Sequence, residues 1–347
     1  MIEGFRSPEK TKSVLGIDIG SSAVRLLELS KVADGYRLEA CLTEILPVLD
    51  TGRPPDHEAL CQTITRLVRS SGTSLRSVMA SVPDSSVKIK VVELPTGLSE
   101  SEIEACMEVE IERNFPYSAD ETVFDYVLLP NNEQQPSAIR VLLVACRLQE
   151  VRARQHLFSS AGLDILALDV EGYALQRALL KAHEPVVVLV NIGSSSTTLS
   201  VLIGDCMLFH KEHALAGRAL TEQIQSYYGL SLQEAELGKC RKNLPNDYSP
   251  SVLRPFLELL VDQVRSFRQL FLSAHPFSEI NRLILAGGGA ALDGLPHLLE
   301  ESLELPVSIA HPFADMQYAE SMKIPSDVAA FSLACGLALR GMDDSGH

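Results

Sequence analysis

Short apolar runs broken by glycine, proline and small polar residues alternate with longer stretches in which apolar residues recur three and four apart. The short runs read as strands at residues 14–19, 24–29, 36–43, 77–82, 86–95, 122–129, 139–147, 164–170, 186–191, 197–203 and 206–212. The longer pattern reads as helices at 57–70, 99–115, 150–161, 171–182, 217–228, 231–241 and 251–274, with a last one inside 325–341. Ser99 and Glu102 form a capping-box pair, and Ile103, Cys106, Met107, Ile111 and Phe115 recur along one face behind it. The helix at 251–274 carries Leu253, Phe256, Leu260, Val264, Phe267 and Phe271 on one stripe. Polar loops are expected at 49–56 and 130–137. Three strands followed by a helix occur twice, roughly 170 residues apart, which points to two duplicated lobes and not to a solenoid.

The first strand pair of each half encloses the same turn. "LGIDIGSSAVRLLEL" starts at Leu15 and "LVNIGSSSTTLSVL" at Leu189. Gly20 and Gly193 are expected to supply positive φ in tight hairpins, leaving backbone N–H groups free to point at an anion. Ser21, Ser22, Ser194, Ser195, Ser196 and Thr197 add small hydroxyl donors. Asp18, two residues before the first glycine, suits a magnesium ion that keeps most of its water. If the lobes face one another, the two turns can hold one polyphosphate from both sides. A third stretch, "ILAGGGAAL", sets Gly287, Gly288 and Gly289 between an apolar strand and a helix, where glycine lets a flat ring approach the backbone.

Composition narrows the classes. The chain has 347 residues, 46% of them apolar, with a formal net charge of −15, enough for a substantial core and unsuited to gripping nucleic acid. Seven cysteines without a C-x-x-C pair read as free thiols in a reducing compartment, and no His/Cys cluster suggests zinc. No run approaches the ~20 apolar residues of a membrane span, and the start lacks the apolar run of a signal peptide, so direct membrane insertion is not expected.

These turns, in this order, resemble the actin-like ATPase superfamily of actin, FtsA, MreB and DnaK. "GIDIGSSAVRL" is similar to its first phosphate loop and "VNIGSSSTTLSV" to its second. "AGRALTEQI" resembles the segment between the lobes, "AELGK" the helix beside the nucleoside, "LILAGGGAAL" the adenosine loop and "AAFSLACGLAL" the closing helix. Within the superfamily, "VLLVACR", "AGLDILALDVEGYAL" and "LRPFLELLVDQVRSF" resemble the PilM family of type IV pilus assembly. The resemblance implies an α/β chain with two ribonuclease-H-like lobes. A first lobe at 1–182 would hold an FtsA-like inserted subdomain at about 77–164, a second lobe would span 183–320, and 321–347 would return to the hinge. It implies ATP or ADP with magnesium at Asp18. Gly20, Ser21, Ser22 and Arg25 would face the phosphates from one side, and Gly193, Ser194, Ser195, Ser196, Thr197 and Gly217 from the other. Glu236, Lys239, Gly287, Gly288 and Gly289 would frame the nucleoside. It further implies a cytoplasmic protein held peripherally at the inner membrane, binding the cytoplasmic N-terminal peptide of a PilN-like partner, reaching PilO indirectly and self-associating into a ring.

Asn191 stands where many actin-like ATPases carry an aspartate. A neutral amide offers neither charge nor a useful pKa for activating water, so ATP is expected to act mainly as a structural ligand, with weak turnover or none. Asp169 and Glu171 lie on the segment that joins the lobes, from which one of them could reach the cleft. Two further readings share these motifs. An FtsA-like membrane tether that polymerises would need an amphipathic basic tail, yet the sequence closes on "RGMDDSGH". A small-molecule kinase would need a catalytic acid and room for a second substrate.

Overall fold

β1 (Ser13–Ile19) is apolar at almost every position because both its faces are covered, which makes it a central strand. It turns directly into β2 (Ala23–Val32), which pairs antiparallel with it and then with β3 (Gly35–Ile45). The computed structural model describes residues 13–47, 56–115, 117–129, 138–181, 185–204, 206–276, 278–320 and 322–342. The loop read at 130–137 and all but Asp56 of that at 49–56 lie outside these residues. α1 (His57–Ser71) starts at that Asp56, whose carboxylate accepts from the Ala59 N–H, and leads to β4 (Ser77–Val82), parallel to β1.

A short 3₁₀ turn, Asp84–Ser86, opens an excursion. β5 (Val87–Pro95), α2 (Glu100–Asn114), β6 (Thr122–Leu129) and β7 (Ala138–Arg147) form a separate antiparallel sheet, β5–β7–β6, with α2 on one face. The capping box forms as read, and Ile103, Met107 and Ile111 bury against Val92, Leu94, Val141 and Leu143. The chain returns through α3 (Leu148–Ser160) to β8 (Asp164–Val170), parallel to β4. This corrects the expected insertion at 77–164. Residues 77–82 are a core strand of the first lobe, and Leu157 and Phe158 of α3 bury with Leu15 and Ile17, so the excursion is confined to about 87–147. A strand bounded by turn signals looks the same in sequence whichever sheet receives it.

α4 (Glu171–Leu179) leads into the second half. β9 (Val187–Ile192), β10 (Thr197–Ile203) and β11 (Cys206–His213) repeat the antiparallel meander. α5 (Gly217–Tyr228), α6 (Leu232–Arg241) and α7 (Arg254–Ala274) follow, then β12 (Arg282–Ala286) parallel to β9, α8 (Leu295–Leu303) and β13 (Val307–Ile309) parallel to β12. The sheet orders are β3–β2–β1–β4–β8 and β11–β10–β9–β12–β13, so in each half the first strand opens an antiparallel meander on one side and has two parallel strands on the other. The duplication read from two turns therefore extends to the whole topology.

The chain rejoins the first half earlier than residue 321. β14 (Gln317–Tyr318) pairs with β3, extending the first sheet to six strands, so the end of the expected 183–320 lobe belongs to the first sheet. α9 (Ser332–Arg340) then crosses α4 and β1. A Cβ on Gly336 would sit 1.7 Å from the Ala174 carbonyl oxygen, and one on Gly16 would sit 2.1 Å from that of Ala334. Asp169 closes the same junction, receiving Arg177 at 2.7 Å and Arg340 at 2.9 Å. Asp169 is therefore committed to the hinge and does not enter the cleft. Among the described residues no helix is long and apolar enough to cross a membrane, and all seven cysteines are unpaired.

Candidate functional site

The two Gly-Ser-Ser turns are closed identically. The Gly20 N–H donates to the Ala23 carbonyl at 3.0 Å, and the Gly193 N–H to the Ser196 carbonyl at 2.9 Å. Neither glycine takes a positive φ. The expectation that both supply left-handed backbone is corrected: what each position excludes is bulk. A Cβ would lie 3.1 Å from the Ala23 carbonyl oxygen at Gly20 and 2.9 Å from that of Ser196 at Gly193. The β1–β2 register sets Asp18 opposite Arg25, and the β9–β10 register sets Asn191 opposite Thr198.

Asp18 is buried and pairs with Arg25 at 3.4 Å. Burial raises its carboxyl above the usual range, and the Arg25 guanidinium pulls it part of the way back. Arg25 also reaches the other half of the molecule. Its Nη2 lies 3.8 Å from where a Cβ of Gly288 would be, and its Nε is buried without a hydrogen-bond partner. Gly288 follows Gly287, which has φ 80° and whose Cβ would fall 2.6 Å from Asn191 Oδ1 and 2.5 Å from the Ile192 carbonyl oxygen. Gly289 lies against the Ile192 side chain. Gly287 and Gly289 are thus glycines because β9 passes directly beneath them, while Gly288 is the exposed one that faces Arg25.

The second turn is held from its other side. Gly217 donates its N–H to the Gly193 carbonyl at 3.0 Å and Arg218 to that of Ser194 at 2.7 Å. Lys239 spends its ammonium on the Gly217 carbonyl at 3.0 Å, Thr221 Oγ1 at 2.6 Å and Glu236 at 2.7 Å. Burial of Glu236 works against its ionised form, but Lys239 and Thr221 hold its carboxyl below the usual value. The Glu236–Lys239 pair therefore fixes α6 against the first turn of α5. The Thr197 hydroxyl, read as a phosphate donor, is buried and donates to the Leu215 carbonyl at 2.7 Å, so its part is structural. Among the described residues, the hydroxyls of Ser21, Ser22, Ser194, Ser195 and Ser196 make no hydrogen bond.

The predicted residues thus form one continuous constellation, running from Asp18 and Gly20 through Arg25 to Gly288, then Asn191, Gly193, Gly217 and Lys239. Free hydroxyls, a guanidinium with a spare donor and Gly288 line it, a donor set that fits a polyphosphate. For a divalent ion it offers Asp18, and no cluster of three acidic, histidine or cysteine side chains occurs among the described residues. That fits magnesium held mostly through water.

Sequence reasoning named Glu171 as a candidate without placing it. At the first position of α4 it comes close enough to Asp18 and Asp84 that their charges, added to its burial, raise its carboxyl to about 8. An unfolded glutamate releases its proton near pH 4.5, the folded one near 8. The stability contributed by the protonated form is full below about pH 4.5 and lost as pH rises through about 8. Glu171→Gln, which cannot ionise, should therefore gain on the order of 3–5 kcal/mol at pH 8.5 and almost nothing at pH 4. Thermal unfolding at the two pH values tests this, and an equal gain at both would remove the assignment.

Two duplicated α/β lobes with a glycine-serine turn from each at a shared junction define the actin-like ATPase class. The sequence signature of the family described as type IV pilus assembly protein PilM matches residues 16–342, and the chain belongs to that family. Its fold is similar to a solved PilM–PilN type IV pilus biogenesis complex, with 27% identity and a TM-score of 0.81 over 96% of this chain and 100% of that one. More distant matches show the fold alone. The ethanolamine utilization protein EutJ from Carboxydothermus hydrogenoformans is 15% identical with a TM-score of 0.58, covering 96% of this chain and 91% of its own. MreB5 of Spiroplasma citri bound to ADP is 12% identical with a TM-score of 0.51, covering 95% and 96%.

Proposed function

We propose that this chain is a cytoplasmic scaffold of type IV pilus assembly that binds ATP or ADP with magnesium between its lobes. It captures the N-terminal peptide of a PilN-like inner-membrane protein, is held at the membrane by that contact, reaches a PilO-like protein only through it, and self-associates into a ring. The observation that carries the nucleotide part is Arg25, a half-buried cation of the first lobe whose guanidinium lies against Gly288 of the second. The Ser21, Ser22, Ser194, Ser195 and Ser196 hydroxyls support it as phosphate donors. Bound magnesium would neutralise phosphate charge, with Asp18 orienting its water shell. Asn191 can orient a water by hydrogen bonding but cannot take its proton, and burial beside Asp18 and Asp84 leaves Glu171 mostly protonated at neutral pH. The cleft is therefore built for occupancy more than for turnover.

For the partner, the inserted sheet supplies a surface. α2 covers one face, and the other carries Ile89, Val91 and Val127 at 40–43% exposure. Strand register aligns Val91 with Leu142 and Val127, and Ile89 with Val144, in a contiguous apolar strip flanked by Glu93, Arg140 and Asp125. Such a face suits the apolar side chains of an extended or helical peptide. The acidic side of α2 is less free than its sequence implies. Glu110 is held by Lys90 at 2.7 Å and Glu102 serves the cap, which leaves Glu100, Glu104, Glu108 and Glu112 exposed. Val91→Asp should weaken binding of a synthetic PilN-like N-terminal peptide by tenfold or more, about 1.4 kcal/mol, while the melting temperature stays within a degree or two. Unchanged affinity would move the partner off this face.

A further inference from the structure

Beneath the cleft a carboxylate from one lobe meets an imidazole from the other. Asp84 sits in the 3₁₀ turn between β4 and β5, at the root of the inserted subdomain. Its Oδ1 accepts the Gly172 N–H at 3.0 Å, whereas its Oδ2 is buried without a hydrogen bond and stands 3.6 Å from His210 Nε2 on β11. The other ring nitrogen of His210 is held by the Ser200 hydroxyl at 2.9 Å, so the imidazole already points across the gap. Between them lies the first turn of α4. A Cβ on Gly172 would come within 2.5 Å of Met207 Cε on β11 and 3.4 Å of Asp84 Oδ1.

We propose that Asp84 and His210 form a latch that couples closure of the cleft to the inserted subdomain. The inference rests on the nucleotide reading given above and concerns its regulation. A separation of 3.6 Å is a few tenths of an ångström too long for a hydrogen bond, and a buried carboxylate oxygen without a donor is a cost that a small rotation removes. β11 moves with the second turn, since Thr197 of that turn pairs with His213, three residues along the strand from His210. β4 moves with the first turn through its pairing with β1. A polyphosphate that draws the turns together therefore brings His210 onto Asp84. Glu212 on β11 sets a further carboxylate near Asp84 from the second lobe, so the lobes repel at this point until a cation or the imidazole intervenes. Because Asp84 precedes β5 by three residues, the closed latch stiffens the strand on which Ile89 and Val91 are displayed. By linkage, a ligand on the insert must then favour closure to the same degree.

Hydrogen exchange of the full chain, with and without magnesium-ATP, tests this. In the unaltered protein, nucleotide should slow exchange about tenfold both in the turns (18–23 and 193–198) and at the root of the insert (84–92). Asp84→Asn, which keeps the shape and the bond from Gly172, should retain protection of the turns and lose it at 84–92. His210→Phe should do the same from the other lobe, and the double variant should lose no more than either single one. Protection of 84–92 that persists in both variants, or protection of the turns alone in the unaltered protein, overturns the latch and leaves the nucleotide site standing. No protection of the turns in the unaltered protein removes the nucleotide reading, and the latch with it.

Discussion

Gly336→Ala is expected to cost at least about 3 kcal/mol, visible as a fall of several degrees in the unfolding midpoint and as poor recovery of folded protein. Its Cβ would overlap the backbone of α4, 1.7 Å from the Ala174 carbonyl oxygen and 2.4 Å from the carbonyl carbon. No rotamer change relieves a clash with a main chain, so α9 must lift. The lift exposes Leu337, Ala338 and Ala334, all fully buried, and pulls Arg340 and Arg177 from Asp169. Gly16→Ala meets the Ala334 carbonyl oxygen at 2.1 Å from the strand side of the same helix and should behave alike. An unchanged midpoint in either variant would mean that α9 does not lie backbone to backbone on its neighbours.

The second large effect belongs to Arg25. Arg25→Ala should weaken magnesium-ATP binding by about 10–100-fold, since a charge-assisted contact to phosphate contributes ~1.5–3 kcal/mol. Arg25→Lys should recover part of that loss, because it keeps the charge and forfeits the planar fork that can meet Asp18 and an anion together. The alanine variant also leaves the buried Asp18 without its cation, so its carboxyl should rise further, and some stability should be lost at neutral pH that returns in acid. The pH dependence separates the roles. A lost phosphate contact lowers affinity throughout, whereas an ionisation of Asp18 acts only around its own titration. Isothermal calorimetry on the three proteins at two pH values makes the comparison, and equal affinities would take Arg25 out of the site.

Much of this was legible in the chain. Apolar period two set off by glycine and serine gave the strands, and the recurrence of Ile-Gly-Ser-Ser marked a duplication that the two sheet orders reproduce in full. Asp18 and the glycines could be named because short-range pattern carried them, whereas Arg25 came only with the family resemblance, and the hairpin register then sets it opposite Asp18. What sequence did not carry was assignment over distance. Whether residues 77–82 joined the core sheet or the insertion depended on a pairing with β1 that no local pattern encodes. Thr197 looked identical to its serine neighbours until Leu215 proved to be the acceptor of its hydroxyl. Gly287 and Gly289 owe their identity to Ile192, and Asp84 and His210, 126 positions apart in the numbering, meet only because the lobes do.

The account stands on one cleft serving both turns. Titration of the purified, unaltered chain with ATP and with ADP, in the presence and absence of magnesium, tests that most directly. The expected result is one nucleotide per chain, tighter with magnesium, with a rise in the melting temperature that grows with ligand concentration and phosphate release too slow to account for the heat. Neither heat nor a shift in melting temperature at millimolar nucleotide would contradict it.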